Sequence, residues 1–266
     1  MSLFRHFSFK IIIYFWKKIG MKIYKHIPNF ITLLNLSMGL IAIYLSLTGG
    51  AERLAMAGYF IFAAAIFDFF DGFAARLLNA KSEIGLQLDS LADMISFGAA
   101  PGFILFKMLS FSSGNYVIIE GINILSLFAF LIPWGAALRL AKFNIDDSQQ
   151  TGFKGLPTPA LAFFIASLPL IRQNFFDNKS MIYSFFTDVY FLISVAILGS
   201  FLMVSSLPMF ALKFKSFGWK NNEIRYIFIV FALIMLVLWK IVAIPFIIFS
   251  YIILSLIIYL YNIKEN

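Results

Sequence analysis

Hydrophobic and polar positions alternate along this chain in long blocks, with apolar stretches separated by short polar breaks. A transmembrane helix needs roughly 20 mainly apolar residues. Eight stretches meet or approach that length, at about 30–48, 55–79, 84–109, 121–141, 158–173, 187–206, 224–239 and 241–261. The last two come from one apolar run broken at Trp239-Lys240, a pair that suits an interfacial turn. A single kinked or re-entrant element is the alternative there. The pattern predicts an all-α fold, a polytopic transmembrane helix bundle of about eight spans.

The first 27 residues read differently. Aromatic and aliphatic residues are mixed with regularly placed bases, and the apolar stretch Ile11 to Trp16 is too short for a secretory signal. A basic amphipathic helix lying on the inner leaflet fits this pattern, and a disordered basic tail is the alternative. No low-complexity linker divides the rest of the chain. The expected organisation is a juxtamembrane segment over 1–27 and one transmembrane domain over 28–266.

Composition points the same way. The chain is 61% hydrophobic and 13% charged, whereas soluble domains are about 45–50% apolar and about 25% charged. Cysteine is absent, which excludes disulfides, thiolate nucleophiles and cysteine-ligated zinc. Both histidines, His6 and His26, lie near the amino terminus, so a general base within the spans must be something other than imidazole. The net charge of +8 suits anionic lipid or an anionic substrate. The charges sit in short loops and form no long basic face, which argues against nucleic acid. With the amino terminus in the cytoplasm, all but five of the 21 lysines and arginines fall on the inner side; Arg53, Lys107, Arg172, Lys179 and Lys240 fall outside.

Four carboxylates stand out against this apolar background. Asp68, Asp71, Asp89 and Asp93 lie within the second and third stretches, toward their cytoplasmic ends. A charged residue at mid-helix costs roughly 2.5–3.5 kcal/mol on insertion scales. Only Arg76 and Lys81 are near as counter-charges. Asp68 and Asp71 are spaced i, i+3, and Asp89 and Asp93 are spaced i, i+4, so each pair shares a helix face. A turn around Ala80 to Glu83 makes the helices antiparallel and lets all four converge. Clustered hard oxygen ligands suit Mg²⁺, Mn²⁺ or Ca²⁺. Gly72, Ala74, Ala75 and Gly85 allow a backbone or a phosphate to approach closely, and Arg76 can clamp a phosphate. Composition and spacing leave an ion or proton pathway and a purely structural polar network open.

The same run resembles a family signature. Asp68-x-x-Asp71-Gly72-x-x-Ala75-Arg76, eight residues, then Gly85-x-x-x-Asp89-x-x-x-Asp93 is similar to the motif of the CDP-alcohol phosphotransferases, with every fixed position filled. Further segments resemble that family's phosphatidylserine-forming branch of bacterial type. They are Pro28-Asn29-x-x-Thr32 with Asn35 and Gly39, Ser96-Phe97-Gly98 with Pro101, Ala137 to Asn144, and Phe153-x-Gly155-Leu156-Pro157-x-Pro159-Ala160. Lys142 stands where arginine is more usual, and Ser206-Leu207-Pro208-Met209 departs from the branch's pattern.

The resemblance implies transfer of a phosphatidyl group from CDP-diacylglycerol to L-serine, releasing CMP. The same chemistry with glycerol 3-phosphate or inositol phosphate as acceptor is the near alternative, and a cation-coupled transporter the distant one. It implies Asp68, Asp71, Asp89 and Asp93 as ligands of Mg²⁺ or Mn²⁺, as two ions, and Asp93 as the base. It implies Asn29, Thr32, Asp68, Gly72, Ala75, Arg76 and Gly85 as the CDP-lipid site. Arg139 and Lys142 become acceptor-binding residues, with positive-inside anchoring as their plainer role. Phe97 is expected to pack in the core, with stacking on cytosine as the alternative. A homodimer in the bacterial cytoplasmic membrane, with its site facing the cytoplasm, completes the expectation.

Overall fold

The computed structural model describes residues 24–112, 118–119, 122–145, 153–176, 180–210, 218–219 and 222–265. The amphipathic segment expected over 1–27 therefore lies almost wholly outside the described residues. Tyr24–His26 form a short 3₁₀ turn that leads into the first helix.

The described chain is helical apart from two very short strand pairs. Helix α1 spans Ile27–Thr48, with Pro28 in its first turn, where a missing N–H costs nothing. Helix α2 spans Ala51–Leu77 and packs along α1. Its end is set by Asn79, whose φ of 48° is a left-handed conformation that asparagine tolerates better than most residues. Ser82 then caps α3, Glu83–Asp93, by accepting from the Gly85 N–H at 3.0 Å. This turn sets the two aspartate-bearing helices facing one another, each packed on α1.

A stretch of π-helix, Met94–Ala99, separates α3 from α4, Ala100–Ser112. The hydrophobic pattern did not predict it. A π turn inserts one extra residue and shifts the helix phase, so Ser96, Phe97 and Gly98 all become buried. The Ser96 hydroxyl donates to the Asn35 carbonyl at 2.9 Å. A Cβ on Gly39 would lie 2.5 Å from that hydroxyl oxygen, so α1 and the π turn approach as closely as a glycine permits.

Strands β1, Ile118–Ile119, and β2, Ile122–Asn123, form a small hairpin before a 3₁₀ turn, Ile124–Phe130, and α5, Leu131–Ile145. Strand β3, Phe153–Lys154, precedes α6, Thr158–Asn174, whose start follows Pro157. Helices α7, Met181–Thr187, and α8, Val189–Val204, meet at a bend of 52°. Asp188 caps α8 there by accepting from the Phe191 N–H at 2.9 Å. Strand β4, Pro208–Met209, pairs antiparallel with β3.

Helices α9, Glu223–Trp239, and α10, Ala243–Glu265, end the chain and are joined by a 3₁₀ turn at Lys240–Val242. A straight helix would separate Phe228 from Tyr251 by roughly 35 Å at 1.5 Å per residue. Their ring centroids are 6.0 Å apart, so the chain doubles back at Lys240, whose φ is 50°. The final apolar run is a helical hairpin.

Among the described residues, five helices are long and apolar enough to cross a membrane, or six if the bent α7–α8 pair is one span. They are Tyr24–Thr48, Ala51–Leu77, Glu83–Ser112, Ile124–Ile145 and the whole run Glu223–Leu260. Many large apolar side chains on α1, α2 and α9 face outward, among them Phe30, Tyr44, Phe69, Leu233 and Val237. In water this would be an aggregating surface; in lipid it is the ordinary exterior of a bundle.

Candidate active site

Helices α1, α2 and α3 bring the predicted residues together. Asp68 and Asp71 stand on α2, and Asp89 and Asp93 on α3. Asp68, Asp71 and Asp89 each offer a carboxylate oxygen within 4.8 Å of the others. Asp93 stands at the edge of this triad. Its carboxyl touches Asp68 and accepts from the Asn35 Nδ2 at 3.4 Å.

These residues fit a divalent cation. The donors are hard oxygens, and three carboxylates this close repel one another without a cation between them. Asp71 is only 5% exposed, and its Oδ2 has no hydrogen-bond partner. A buried carboxylate oxygen left unpaired costs several kcal/mol, roughly, unless an ion or donor meets it. The Asn35 Oδ1 is a second buried, unpartnered oxygen.

Two cavities flank the aspartates. The first, of about 550 Å³, is walled by Asn29, Thr32, Asp71, Gly72, Ala75, Arg76, Gly85 and Asp89. Every residue expected at the CDP-lipid site except Asp68 lines it. Lys81 and Ser82 line it too, so Arg76 is accompanied by a second cation that the motif does not mark. Arg76 is steadied by donating from Nε to the Gly72 carbonyl at 2.9 Å. A Cβ on Gly72 would meet nothing within 4 Å, which leaves the floor open beside Asp71. The Thr32 hydroxyl is engaged with the Pro28 carbonyl at 3.0 Å.

The second cavity, of about 600 Å³, has largely apolar walls. Its polar groups include Asp93, Arg139, Thr158 and Tyr251. Arg139 is 7% exposed. Its Nη1 donates to the Lys154 carbonyl at 3.1 Å and reaches the Met203 carbonyl at 3.5 Å. Arg139 also borders a smaller hollow of about 270 Å³, shared with Lys142, Lys154, Ser205 and Ser206. Lys142 donates to the Val204 carbonyl at 3.3 Å. Arg139 and Lys142 thus hold the carboxyl-terminal end of α8, and of the two only Arg139 reaches the cavity that contains Asp93.

Phe97 takes the packing role expected of it. It is fully buried, edge-on to Phe163 with centroids 6.5 Å apart, and the first cavity does not include it. The π turn rotates it into the core. Asn35 carried a usable signal. Asn29, Thr32 and Asn35 follow at i, i+3 and i+6, a polar stripe on one face of an otherwise apolar helix. Tyr251 and Phe210 carried none, since no motif or periodicity marks them.

The sequence profile of the CDP-alcohol phosphatidyltransferases matches residues 25–204. The chain belongs to that family. Among its relatives, a CDP-diacylglycerol–serine O-phosphatidyltransferase of Bacillus subtilis is 38% identical over 59% of this chain and 80% of its own length. A protein of the same description from Helicobacter pylori is 33% identical over 68% of this chain and 70% of its own. A third, from Mycobacterium bovis, is 35% identical over 69% of this chain and 60% of its own. The two cavities are therefore features of a CDP-alcohol phosphatidyltransferase. Helices α9 and α10 lie beyond the residues that the family profile matches.

Proposed function

We propose that this chain transfers a phosphatidyl group from CDP-diacylglycerol to L-serine, giving phosphatidylserine and CMP. The observation that carries the reading is the aspartate group standing between two cavities. Asp71 and Asp89 face the one that holds Arg76, and Asp93 faces the one that holds Arg139. A transfer between two substrates needs such a two-sided site. The names of the relatives supply the acceptor.

In this reading Asp68, Asp71 and Asp89 hold Mg²⁺ or Mn²⁺, and Asp93 together with Asp68 can serve a second ion. A bound ion neutralises the pyrophosphate and stabilises the charge that leaves on CMP. Arg76 and Lys81 hold the phosphates, while Asn29, Thr32, Gly72, Ala75 and Gly85 form the nucleotide floor. Asp93 takes the proton of the serine hydroxyl, since the spans contain no imidazole or thiol. That oxygen forms a bond to the phosphorus carrying diacylglycerol. The bond from this phosphorus to the bridging oxygen breaks, and CMP leaves with the electron pair. Arg139 pairs with the serine carboxylate, and Lys142 adds positive charge at the mouth.

The membrane arrangement follows from the same reading. We place eight crossings in the bilayer: α1, α2, α3 with α4, the 3₁₀ turn with α5, α6, α7 with α8, α9, and α10. The doubling back at Lys240 supports two crossings at the end of the chain. Helix α6, with 17 residues, is at the short limit for a span. The lysine and arginine bias supports a site on the cytoplasmic side of the membrane, which we take to be bacterial. Family resemblance supports a homodimer.

The test uses purified protein in detergent with CDP-diacylglycerol and Mn²⁺, with CMP release as the readout. Serine is expected to support release, and glycerol 3-phosphate and inositol phosphate are not. Release with glycerol 3-phosphate and none with serine removes the acceptor assignment. No release with any alcohol, together with ion uptake into vesicles, favours a transporter.

A further inference from the structure

The terminal hairpin reaches the acceptor side of the site through one short series of contacts. Tyr251 is buried at 8% exposure, and its hydroxyl donates to the Phe210 carbonyl at 2.8 Å. Ser255, one turn further along α10, accepts from the Phe210 N–H at 3.1 Å and donates to the Tyr251 carbonyl at 2.8 Å. Both backbone groups of Phe210 are thereby fixed by side chains of α10. Phe210 directly follows β4, where Met209 pairs with Phe153 and Pro208 with Lys154. The Gly155 N–H donates to the Leu207 carbonyl at 2.8 Å, which ties the same two segments together once more. The Lys154 carbonyl then accepts from Arg139.

We propose that Tyr251 and Ser255 are positioning residues for the acceptor: they hold Phe210 and, through the β3–β4 pair, the carbonyl that orients the Arg139 guanidinium beside Asp93. The inference rests on the reading of Arg139 as the serine carboxylate contact. A guanidinium pairs with a carboxylate as a planar fork, so its plane must be set by bonds on its far side. Nη1 is occupied by the carbonyls of Lys154 in β3 and Met203 at the end of α8, while Arg139 still borders the cavity that contains Asp93. The device comes from helices outside the family-matched residues. Family members with a different carboxyl terminus must therefore orient the equivalent group by other means.

The experiment is steady-state kinetics on the full-length protein with Tyr251→Phe and Ser255→Ala. Tyr251→Phe keeps the ring that packs on Phe228 and removes only the hydroxyl. Ser255→Ala removes the acceptor of the Phe210 N–H from a side chain that does not line the cavity. Each is expected to raise the serine KM by about three- to tenfold, the effect of one ordinary hydrogen bond. The kcat and the KM for CDP-diacylglycerol should stay within about twofold. Each substitution is also made in an Arg139→Lys background, where its effect on serine KM should largely disappear. A similar effect with and without the arginine overturns the proposal. So does a parallel fall in kcat and in affinity for both substrates, which marks general loosening of the bundle. If Arg139→Lys alone leaves serine KM unchanged, the premise fails and the proposal with it. A response to Arg139→Lys without one to Ser255→Ala or Tyr251→Phe refutes positioning and spares the premise.

Discussion

If Asp93 is the base, as proposed, Asp93→Asn is expected to separate the chemical step from ligand binding. The amide keeps the shape of the carboxyl and can still accept from Asn35 Nδ2, which lies 3.4 Å from the Asp93 Oδ1. Its NH₂ can donate to Asp68, the neighbour that Asp93 already touches. The three carboxylates within 4.8 Å of one another do not include Asp93, so the triad survives. The substitution removes the ability to take a proton from the acceptor hydroxyl. General base catalysis contributes about 10²- to 10⁴-fold, or roughly 2.7–5.5 kcal/mol of barrier at 1.36 kcal/mol per decade. At saturating Mn²⁺, kcat for CMP release is expected to fall by that factor.

Binding of CDP-diacylglycerol, measured by titration calorimetry in detergent, should survive, because Arg76, Lys81, Asp71 and Asp89 face the other cavity. Two results refute the reasoning. Turnover within about threefold of wild type means the proton goes elsewhere. Full recovery of turnover on raising Mn²⁺ makes Asp93 a metal ligand alone.

The same geometry sets further outcomes. Excess EDTA should abolish CMP release and added Mg²⁺ or Mn²⁺ restore it; full activity in chelator after extensive washing rejects the metal role of the triad. Asp71→Asn should raise both the metal concentration for half-maximal activity and the CDP-lipid KM, since its buried, unpartnered oxygen faces the first cavity. Arg139→Ala should raise the serine requirement by roughly ten- to a hundredfold, the value of a charge-assisted hydrogen bond. It should also lower thermal stability in detergent, because two backbone carbonyls lose their donor. Equal kinetic losses for both substrates would make it a structural residue. Gly155→Ala should lower the melting temperature, since its φ is 73° and a Cβ would lie 2.5 Å from the Met203 carbonyl oxygen. The strain at a left-handed position is about 1–3 kcal/mol, and an unchanged melting temperature contradicts it.

The legible part of this protein is the part built from neighbours in sequence. Residues 28 to 93 form the three helices α1, α2 and α3, joined by tight turns. Spacings of three and four residues therefore suffice to predict which carboxylates meet. Asn29, Thr32, Gly72, Ala75, Arg76 and Gly85 all reach the first cavity for the same reason. The prediction weakened where a local event reset the helix phase. The π turn at Met94–Ala99 adds a residue that no periodicity announces, and it sends Phe97 into the core. Hydropathy also gives no sign of a bend where a polar residue caps a new helix, as Asp188 does within the sixth apolar stretch.

The second cavity, the acceptor side in the proposed reading, was hardest to read because it is assembled from distant pieces. Its cavity takes Asp93 from α3, Arg139 from α5, Thr158 from α6, Phe210 after β4, Phe228 from α9 and Tyr251 from α10. Asp93 and Arg139 show by their charge, but Thr158, Phe210, Phe228 and Tyr251 are single side chains with ordinary packing roles to hide behind. This division has a physical consequence. Ligands of a metal and a pyrophosphate must keep fixed mutual distances, which a helix–turn–helix supplies from one short segment. An acceptor pocket closed by the terminal hairpin can change with substitutions far from the aspartates. Exchanging Phe210, Phe228 or Tyr251 should then alter the choice or affinity of the alcohol while chelator sensitivity and CDP-lipid affinity persist.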